Sequence, residues 1–381
     1  MIILGIESSC DETACGIVKD GNELLANAVF SSMDLHKAYG GVVPEIAARS
    51  HIESIIPVID QALSDAFDSK KSKVESRKYS ALPSDLATLP YPDPWDKIDG
   101  IAVTYGAGLG GSLLVGVMTA RTLAITKNKP LYAINHVEAH VYSNFLTKTS
   151  PSLSTAYQLP TTAPKFPVLA LIVSGGHSQL VLFRNHFDYT LLGQTQDDAI
   201  GEAFDKVAKI TGLPYPGGPS IGKKALEGNG NAFSLPKAKM PGKYDFSFSG
   251  VKTAVLRQAQ AMCGKDFTFP SKNLPEALSE AQKADIAAVF QRVAIETVVD
   301  KTIQAFEEFS PASVVIAGGV AASSELRRQL KERLPIEINY TDMKLCTDNG
   351  AMIASLGCFR AMHGQPTADP YSLEIEPNLS M

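Results

Sequence analysis

Two histidines one helical turn apart are the most chemically loaded feature of this sequence. In His136-Val137-Glu138-Ala139-His140 the imidazoles at i and i+4 fall on one helical face, where their ring nitrogens can share a cation. Glu138 points largely away from that face. The order is therefore not His-Glu-x-x-His, in which the glutamate stands beside the first histidine and activates a water. The alternative for the pair is a buried helix whose histidines are simply hydrogen-bonded.

A third donor would complete such a site. In Thr347-Asp348-Asn349-Gly350-Ala351-Met352, Asp348 precedes an apolar helical stretch. There it is either an N-cap that satisfies free backbone N–H groups or a carboxylate facing a cleft. In the second case His136, His140 and Asp348 form a two-histidine, one-carboxylate set that keeps positions open for substrate oxygens.

Glycine turns and acids supply the rest. Ser174-Gly175-Gly176-His177 and Ala317-Gly318-Gly319-Val320 follow strands and let a ligand approach the backbone. Tyr215-Pro216-Gly217-Gly218-Pro219 reads equally as a proline-pinned loop. His177 reads as a packing or hydrogen-bonding residue rather than a metal ligand. Asp197, Asp198, Glu202 and Asp205 gather at a helix start, where they either complement its dipole or accept hydrogen bonds from a ribose or amino acid. In the first turn of the chain, Ser9, Asp11 and Glu12 either order that turn or face phosphates through a metal or water.

These residues need elements to position them. Residues 2–30 read as a three-strand meander, 44–66 as a helix, 101–104 as a strand and 113–125 as a helix. A short strand at 131–134 leads into the histidine helix. The segment 168–173 is a strand, returning at 179–183 after the glycine turn, and 200–310 is mostly helical. A β-α-β-α ending follows: strands at 314–317 and 336–340, helices from about 323 and 348. Residues 67–98, with a lysine-rich half and a proline-rich half, and 147–165, rich in Ser, Thr and Pro, read as surface insertions. Residues 2–18 and 168–183 repeat one plan of buried strand, polar turn and antiparallel strand. That repeat predicts two related α/β lobes facing a cleft.

Composition narrows the function class. The chain has 381 residues, 35 Lys+Arg against 40 Asp+Glu, and a net charge of −5. That excludes a globally basic nucleic-acid coat and leaves a local basic groove, or a partner, to meet phosphates. Lys237, Lys239, Lys243, Lys252 and the cluster at 70–78 are the candidates. Five cysteines with no Cys-x-x-Cys predict reduced thiols, not a disulfide framework or zinc ribbon. The N-terminal apolar strand carries no targeting signature and no run suits a membrane span, so a cytoplasmic protein is expected.

The ordered motifs Gly5-Ile6-Glu7-Ser8-Ser9-Cys10-Asp11-Glu12-Thr13, His36 to Glu45, Asn135 to His140, Val173 to His177, Asp198 to Lys206, Tyr215 to Pro219, Phe246 to Thr253 and Thr347 to Ala354 resemble the TsaD family. That family comprises the tRNA threonylcarbamoyladenosine transferases of the glycoprotease-like group. The resemblance covers the chain except 67–98 and 147–165. It implies a two-lobed actin-like, sugar-kinase-like ATPase fold, with duplicated ribonuclease-H-like lobes, a central cleft and a helical insertion at about 200–310. Lobe I would comprise 1–128 with 349–381, and lobe II 129–348. The implied reaction moves a threonylcarbamoyl group from threonylcarbamoyl-AMP to N6 of adenosine 37 in tRNAs reading A-starting codons, releasing AMP.

In family terms His136, His140 and Asp348 hold one divalent metal per subunit, iron or zinc, with iron favoured. Ile172, Val173, Ser174, Gly175, Gly176, Asp205 and Gly218 hold the adenylate. Ser323 stands where the family usually has Asn, so any adenosine contact there is weakened or water-bridged. A paralogous TsaB-type subunit and a TsaE-type ATPase are the implied partners, since bacterial members need them while mitochondrial members act as homodimers. Two other functions compete: a zinc metalloprotease, disfavoured by the His-x-Glu-x-His order, and a sugar-kinase-like ATPase, which would not require the histidine pair.

Overall fold

The computed structural model describes residues 1–67 and 93–381, so the lysine cluster at 70–78 lies outside the described residues. Two mixed sheets form the framework. The first holds β1 (Ile2–Glu7), β2 (Glu12–Lys19), β3 (Glu23–Ser31), β4 (Gly100–Gly106), β5 (Leu131–Asn135) and β6 (Lys148–Thr149), in the order β5-β4-β1-β2-β3-β6. The second holds β7 (Val168–Val173), β8 (Ser178–Asn185), β9 (Asp188–Gln194), β10 (Ser313–Ala317) and β11 (Ile338–Tyr340), in the order β11-β10-β7-β8-β9.

The repeat seen in the sequence extends to the whole sheet. β1 pairs antiparallel with β2 and parallel with β4, and β4 continues in parallel to β5. β7 does the same with β8, β10 and β11. Both leading strands are apolar runs buried along nearly their whole length, as strands covered on both faces require. β5 and β6 belong to the first sheet, so the lobe boundary expected at 128/129 separates β5 from the sheet it completes. The 147–165 segment is not purely loop, because β6 pairs with β3.

The helices are α1 (Met33–His36), α2 (Pro44–Phe67), α3 (Gly110–Lys127), α4 (His136–Tyr142), α5 (Ile200–Thr211), α6 (Gly217–Ala225), α7 (Ser249–Met262), α8 (Leu274–Ala277), α9 (Glu280–Phe309), α10 (Ser324–Arg333) and α11 (Gly350–Met362). One apolar core joins the first sheet to α2 and α3. A second lies between the sheets and takes in residues of α4 and α11. A third joins the far face of the second sheet to α5, α7, α9 and α10. α11 lies hard against β1 and β2 because Gly5 and Gly16, paired across those strands, leave room for its backbone. A Cβ on Gly5 would collide with Ala354 N, and one on Gly16 with Ala351 N.

Candidate active site

The site is assembled from the ends of buried strands. β5 runs directly into α4, and Asn135 turns the chain there: its Oδ1 accepts the N–H of Val137 at 2.9 Å and of Glu138 at 3.2 Å. That cap places His136 in the first turn of α4 and His140 one turn later, with ring centroids 4.7 Å apart.

Asp348 arrives from the segment before α11. Its Oδ1 lies 3.5 Å from His136 Nε2 and 3.3 Å from His140 Nε2. Asp348 is not the helix cap. Asn349 takes that role, accepting from Met352 N at 3.0 Å and donating to the carbonyls of Leu345 and Thr347. The aspartate is thereby free to face the histidines.

Behind His136 stands Glu7, fully buried at the end of β1. Its Oε2 is 3.1 Å from His136 Nδ1 and accepts from Thr104 Oγ1 at 2.5 Å, while its Oε1 accepts from Ser9 N at 2.5 Å. Ser9 Oγ lies 3.2 Å from the same Nδ1.

Charge explains the titration of this group. Burial disfavours the His136 imidazolium, but the carboxylates of Asp348 and Glu7 outweigh it and push the ring up to about 9. Burial likewise opposes the Asp348 charge, and His136 and His140 hold its carboxyl well below the usual range. Glu12 goes the other way, to about 10, through burial and the neighbouring negative charges of Asp348 and Asp11. His177 is held down to about 4 by burial, then by His136 and His140.

The cluster fits a divalent metal. One ligand atom from each of His136, His140 and Asp348 lies within 4.8 Å of the others. His140 is buried, and among the described residues neither ring nitrogen makes a well-aligned hydrogen bond, Nε2 only facing Asp348 Oδ1 at 3.3 Å; such nitrogens suit metal ligation better than a structural role. Two imidazoles and a carboxylate suit iron or zinc. Glu7, accepting from the outer nitrogen of His136, is the orienting partner such ligands carry.

A cavity of about 730 Å³ opens onto this cluster. Ser9, Asp11 and Glu12 line it from the β1–β2 turn, and Ser174, Gly175, Gly176 and His177 from the β7–β8 turn. The second turn closes on itself: Ser174 N donates to His177 O at 2.8 Å and His177 N to Ser174 Oγ at 3.1 Å. Among the described residues a Cβ on Gly175 or Gly176 would meet nothing within 4 Å, so their packing does not demand glycine at either position. What glycine leaves there is bare backbone facing the cavity.

Asp205, on α5, also lines the cavity, and its Oδ1 accepts Gly217 N at 2.6 Å. The Tyr215–Pro219 segment is not a pure loop, since Gly217 and Gly218 begin α6.

Other expected residues sit apart. Ile172 and Val173 are fully buried in β7, and with Gly218 and Ser323 they are not part of the cavity lining. Ser323 caps α10, accepting from Leu326 N at 3.4 Å, so its hydroxyl already has a structural task. Asp197 caps α7 through Phe248 N and Ser249 N. Asp198 binds Lys206 at 2.6 Å and Lys252 at 3.0 Å. The lysines expected to meet phosphate are mostly engaged: Lys237 with Glu296 and Asp300, Lys243 with Glu308, and Lys252 with Asp198. Glu7 and Thr104 were not singled out from the sequence. The available signal was a carboxylate closing an otherwise apolar strand.

Comparison with known proteins follows this geometry. The profile of the TsaD family, tRNA N6-adenosine threonylcarbamoyltransferase, matches residues 23–76 and 94–355. A protein of that description from Thermomicrobium roseum is 47% identical over 371 residues, covering 96% of this chain and 93% of the relative. Another from Dehalococcoides mccartyi is 42% identical, covering 100% of this chain and 99% of the relative. Among solved structures, HypF of T. kodakarensis superposes with a TM-score of 0.55 at 12% identity, over 97% of this chain and 48% of that one. That likeness is one of fold, the two-lobed actin-like, sugar-kinase-like ATPase architecture.

Proposed function

This chain belongs to the TsaD family of tRNA N6-adenosine threonylcarbamoyltransferases, and from that premise we propose how its cleft divides the work. Membership makes it an acyltransferase that modifies adenosine in tRNA. We take the donor to be threonylcarbamoyl-AMP and the acceptor to be N6 of the adenosine beside the anticodon. The N6 nitrogen forms a bond to the carbamoyl carbon, the bond from that carbon to the phosphate oxygen breaks, AMP leaves with the electron pair, and N6 gives up one proton.

His136, His140 and Asp348 would hold one divalent metal, iron in preference to zinc. When bound it supplies positive charge to the donor's oxygens and orients the donor. Glu7 keeps the His136 ring in register by accepting at Nδ1. The N–H groups of Gly175 and Gly176 suit phosphate oxygens. Asp205 suits ribose hydroxyls, as a carboxylate with acceptor capacity left after Gly217. An exocyclic adenine amine is a weak nucleophile, so the cleft's main contribution is to hold it against the carbamoyl carbon.

The observation that carries this reading is the meeting, in one cavity of about 730 Å³, of His136 and Asp348 from the histidine–aspartate cluster, the bare glycine turn and Asp205. That volume lies in the range of small-ligand sites. We further propose a TsaB-type paralogue and a TsaE-type ATPase as partners, and a cytoplasmic location where tRNA is found. Among the described residues no helix is long and apolar enough to cross a membrane. The protease alternative finds no support, because Glu138 is buried and its charged neighbour is Arg360.

The test supplies the metal-loaded chain and its partners with threonylcarbamoyl-AMP and unmodified tRNA, then digests the tRNA and weighs its nucleosides. Threonylcarbamoyladenosine should form, and His140→Ala should abolish it. No modified nucleoside from a donor shown to be intact would sink the reading.

A further inference from the structure

Lys209 and Lys272 differ from the lysines around them. Among the described residues, neither ammonium has a hydrogen bond or ion pair, and both side chains are exposed. Beside them, Lys206 is neutralised by Asp198 and Glu202, and Lys252 by Asp198. Two lysines are thus balanced by two carboxylates, and two are left with uncompensated charge.

The four converge on one pocket of about 290 Å³ between α5, α7 and the turn that precedes α8. Ile210 and Leu256 give it an apolar wall, and the exposed Ser271 stands at its edge. Its position matters most. Lys206 and Lys209 line both this pocket and the catalytic cavity, so the pocket opens beside the cleft.

We propose that this pocket seats a backbone phosphodiester of the tRNA loop, next to the nucleotide whose base enters the cleft. The proposal rests on the transferase reading and adds to it the place where the polynucleotide is gripped. Bringing two unpaired ammonium groups together is unfavourable until an anion lies between them. A phosphodiester fits: it is singly charged, exposes two oxygens and recurs along the chain, so the nucleotide in the cleft and its neighbour can be held at once. The apolar wall suits a ribose or a base face. An overall charge of −5 favours such a local site, because the protein's general field repels RNA.

The test compares Lys209→Glu/Lys272→Glu and the gentler Lys209→Gln/Lys272→Gln with the parent chain. Binding of an anticodon stem-loop is measured across a salt series. Losing two phosphate contacts should lower the slope of log K against log salt by about 1.4, at roughly 0.7 per single-strand contact. In turnover assays the KM for tRNA should rise about tenfold or more, by a larger factor than the donor's KM. Metal content and melting temperature serve as folding controls, and the glutamine pair stands in if the glutamates misfold. An unchanged slope and an unchanged KM for tRNA overturn the proposal while leaving the transferase reading intact. A raised donor KM with tRNA unaffected also overturns it, since the pocket would then serve the adenylate. Failure of the parent chain itself to modify tRNA overturns the transferase reading, and this proposal with it.

Discussion

Glu7 and Asp348 hold His136 from opposite sides. Glu7 Oε2 lies 3.1 Å from Nδ1, and Asp348 Oδ1 lies 3.5 Å from Nε2. Because an ionised carboxylate only accepts, Nδ1 carries a proton toward Glu7 and Nε2 is the atom presented to the cleft. The strand end thus orients a residue on another element and, with Nε2 given to a metal, would keep the ring's proton on Nδ1.

The first prediction follows from that relation. Glu7→Gln keeps the volume, but with its oxygen on Ser9 N it turns an NH2 group toward Thr104 and His136, so the acceptor at Nδ1 is lost. Metal affinity should fall by about 10–100-fold, the usual cost of losing an orienting partner. Competition with a chelator, followed by elemental analysis, measures it. Melting of the metal-free protein should change much less. Equal affinities would mean that Glu7 does not orient the ring.

A second prediction concerns acid. His186 stacks on Phe359 at 4.4 Å, meets Phe166 edge-on at 4.8 Å, and its Nδ1 lies 3.1 Å from Tyr142 Oη. Burial, then the nearby His363, pushes its pKa down to about 4, from 6.5 in the unfolded chain. Between those values the unfolded chain binds the proton and the folded one does not. The neutral ring's stability contribution is therefore complete above about 6.5 and is lost as pH falls from there to about 4. His186→Phe should flatten the melting-temperature profile in that window while leaving the profile above pH 7 parallel to the parent's. An equally steep fall in the variant would clear His186 of the effect.

The central strands, the histidine pair and the repeat were legible because each rests on local pattern: apolar runs, i, i+4 spacing and glycine turns. β9 was not. Asp188–Gln194 is mostly exposed or half-exposed and carries little apolar signal, so it forms by pairing with β8 rather than by its own pattern. The cap at α11 was ambiguous for a different reason. Asp348 and Asn349 are adjacent and both are good caps, and the choice is made by tertiary structure, which sets Asp348 against the histidines. Lysine composition gave charge but not partners: Glu296, Asp300 and Glu308, which occupy Lys237 and Lys243, lie more than fifty residues away on α9.

A third prediction tests how tightly α11 is seated. Gly16→Ala would drive a Cβ into the backbone of Gly350 and Ala351, which cannot swing aside as a side chain can. Overpacking of this kind costs about 1–3 kcal/mol. Since Asp348 precedes α11 directly, metal affinity should fall with stability. Gly250→Ala in α7 is the control, because among the described residues its Cβ meets nothing within 4 Å, and it should be neutral or stabilising by up to about 1 kcal/mol. Both are read by denaturant titration. A Gly16→Ala protein as stable as the parent would show that the strand–helix contact has slack.

The last prediction concerns residues 368–381, which run back across the first sheet to the site. Arg121 on α3 grips this segment, donating to Pro370 O at 2.7 Å, Leu373 O at 3.1 Å and Tyr371 O. Further along, Pro377 O accepts the N–H of Gly108, a cavity-lining residue, at 3.1 Å. Ser380 O accepts from Asn135 Nδ2 at 3.2 Å, and Asn135 is the cap of the histidine helix. One guanidinium, with the backbone bonds of Ala368 N to Leu131 O and Glu376 N to Tyr105 O, therefore holds a strap whose far end touches both the cavity rim and the start of α4. Arg121→Ala should cost about 2 kcal/mol, within the range for hydrogen bonds to a charged group. Local opening should then outpace global unfolding. Hydrogen exchange should quicken at the amides of Gly108 and Val137 by more than tenfold, while amides of β7 and β8 change only with global stability. If Gly108 and Val137 exchange no faster than those strands, the strap is held by its backbone bonds and apolar contacts, and Arg121 is dispensable to the site.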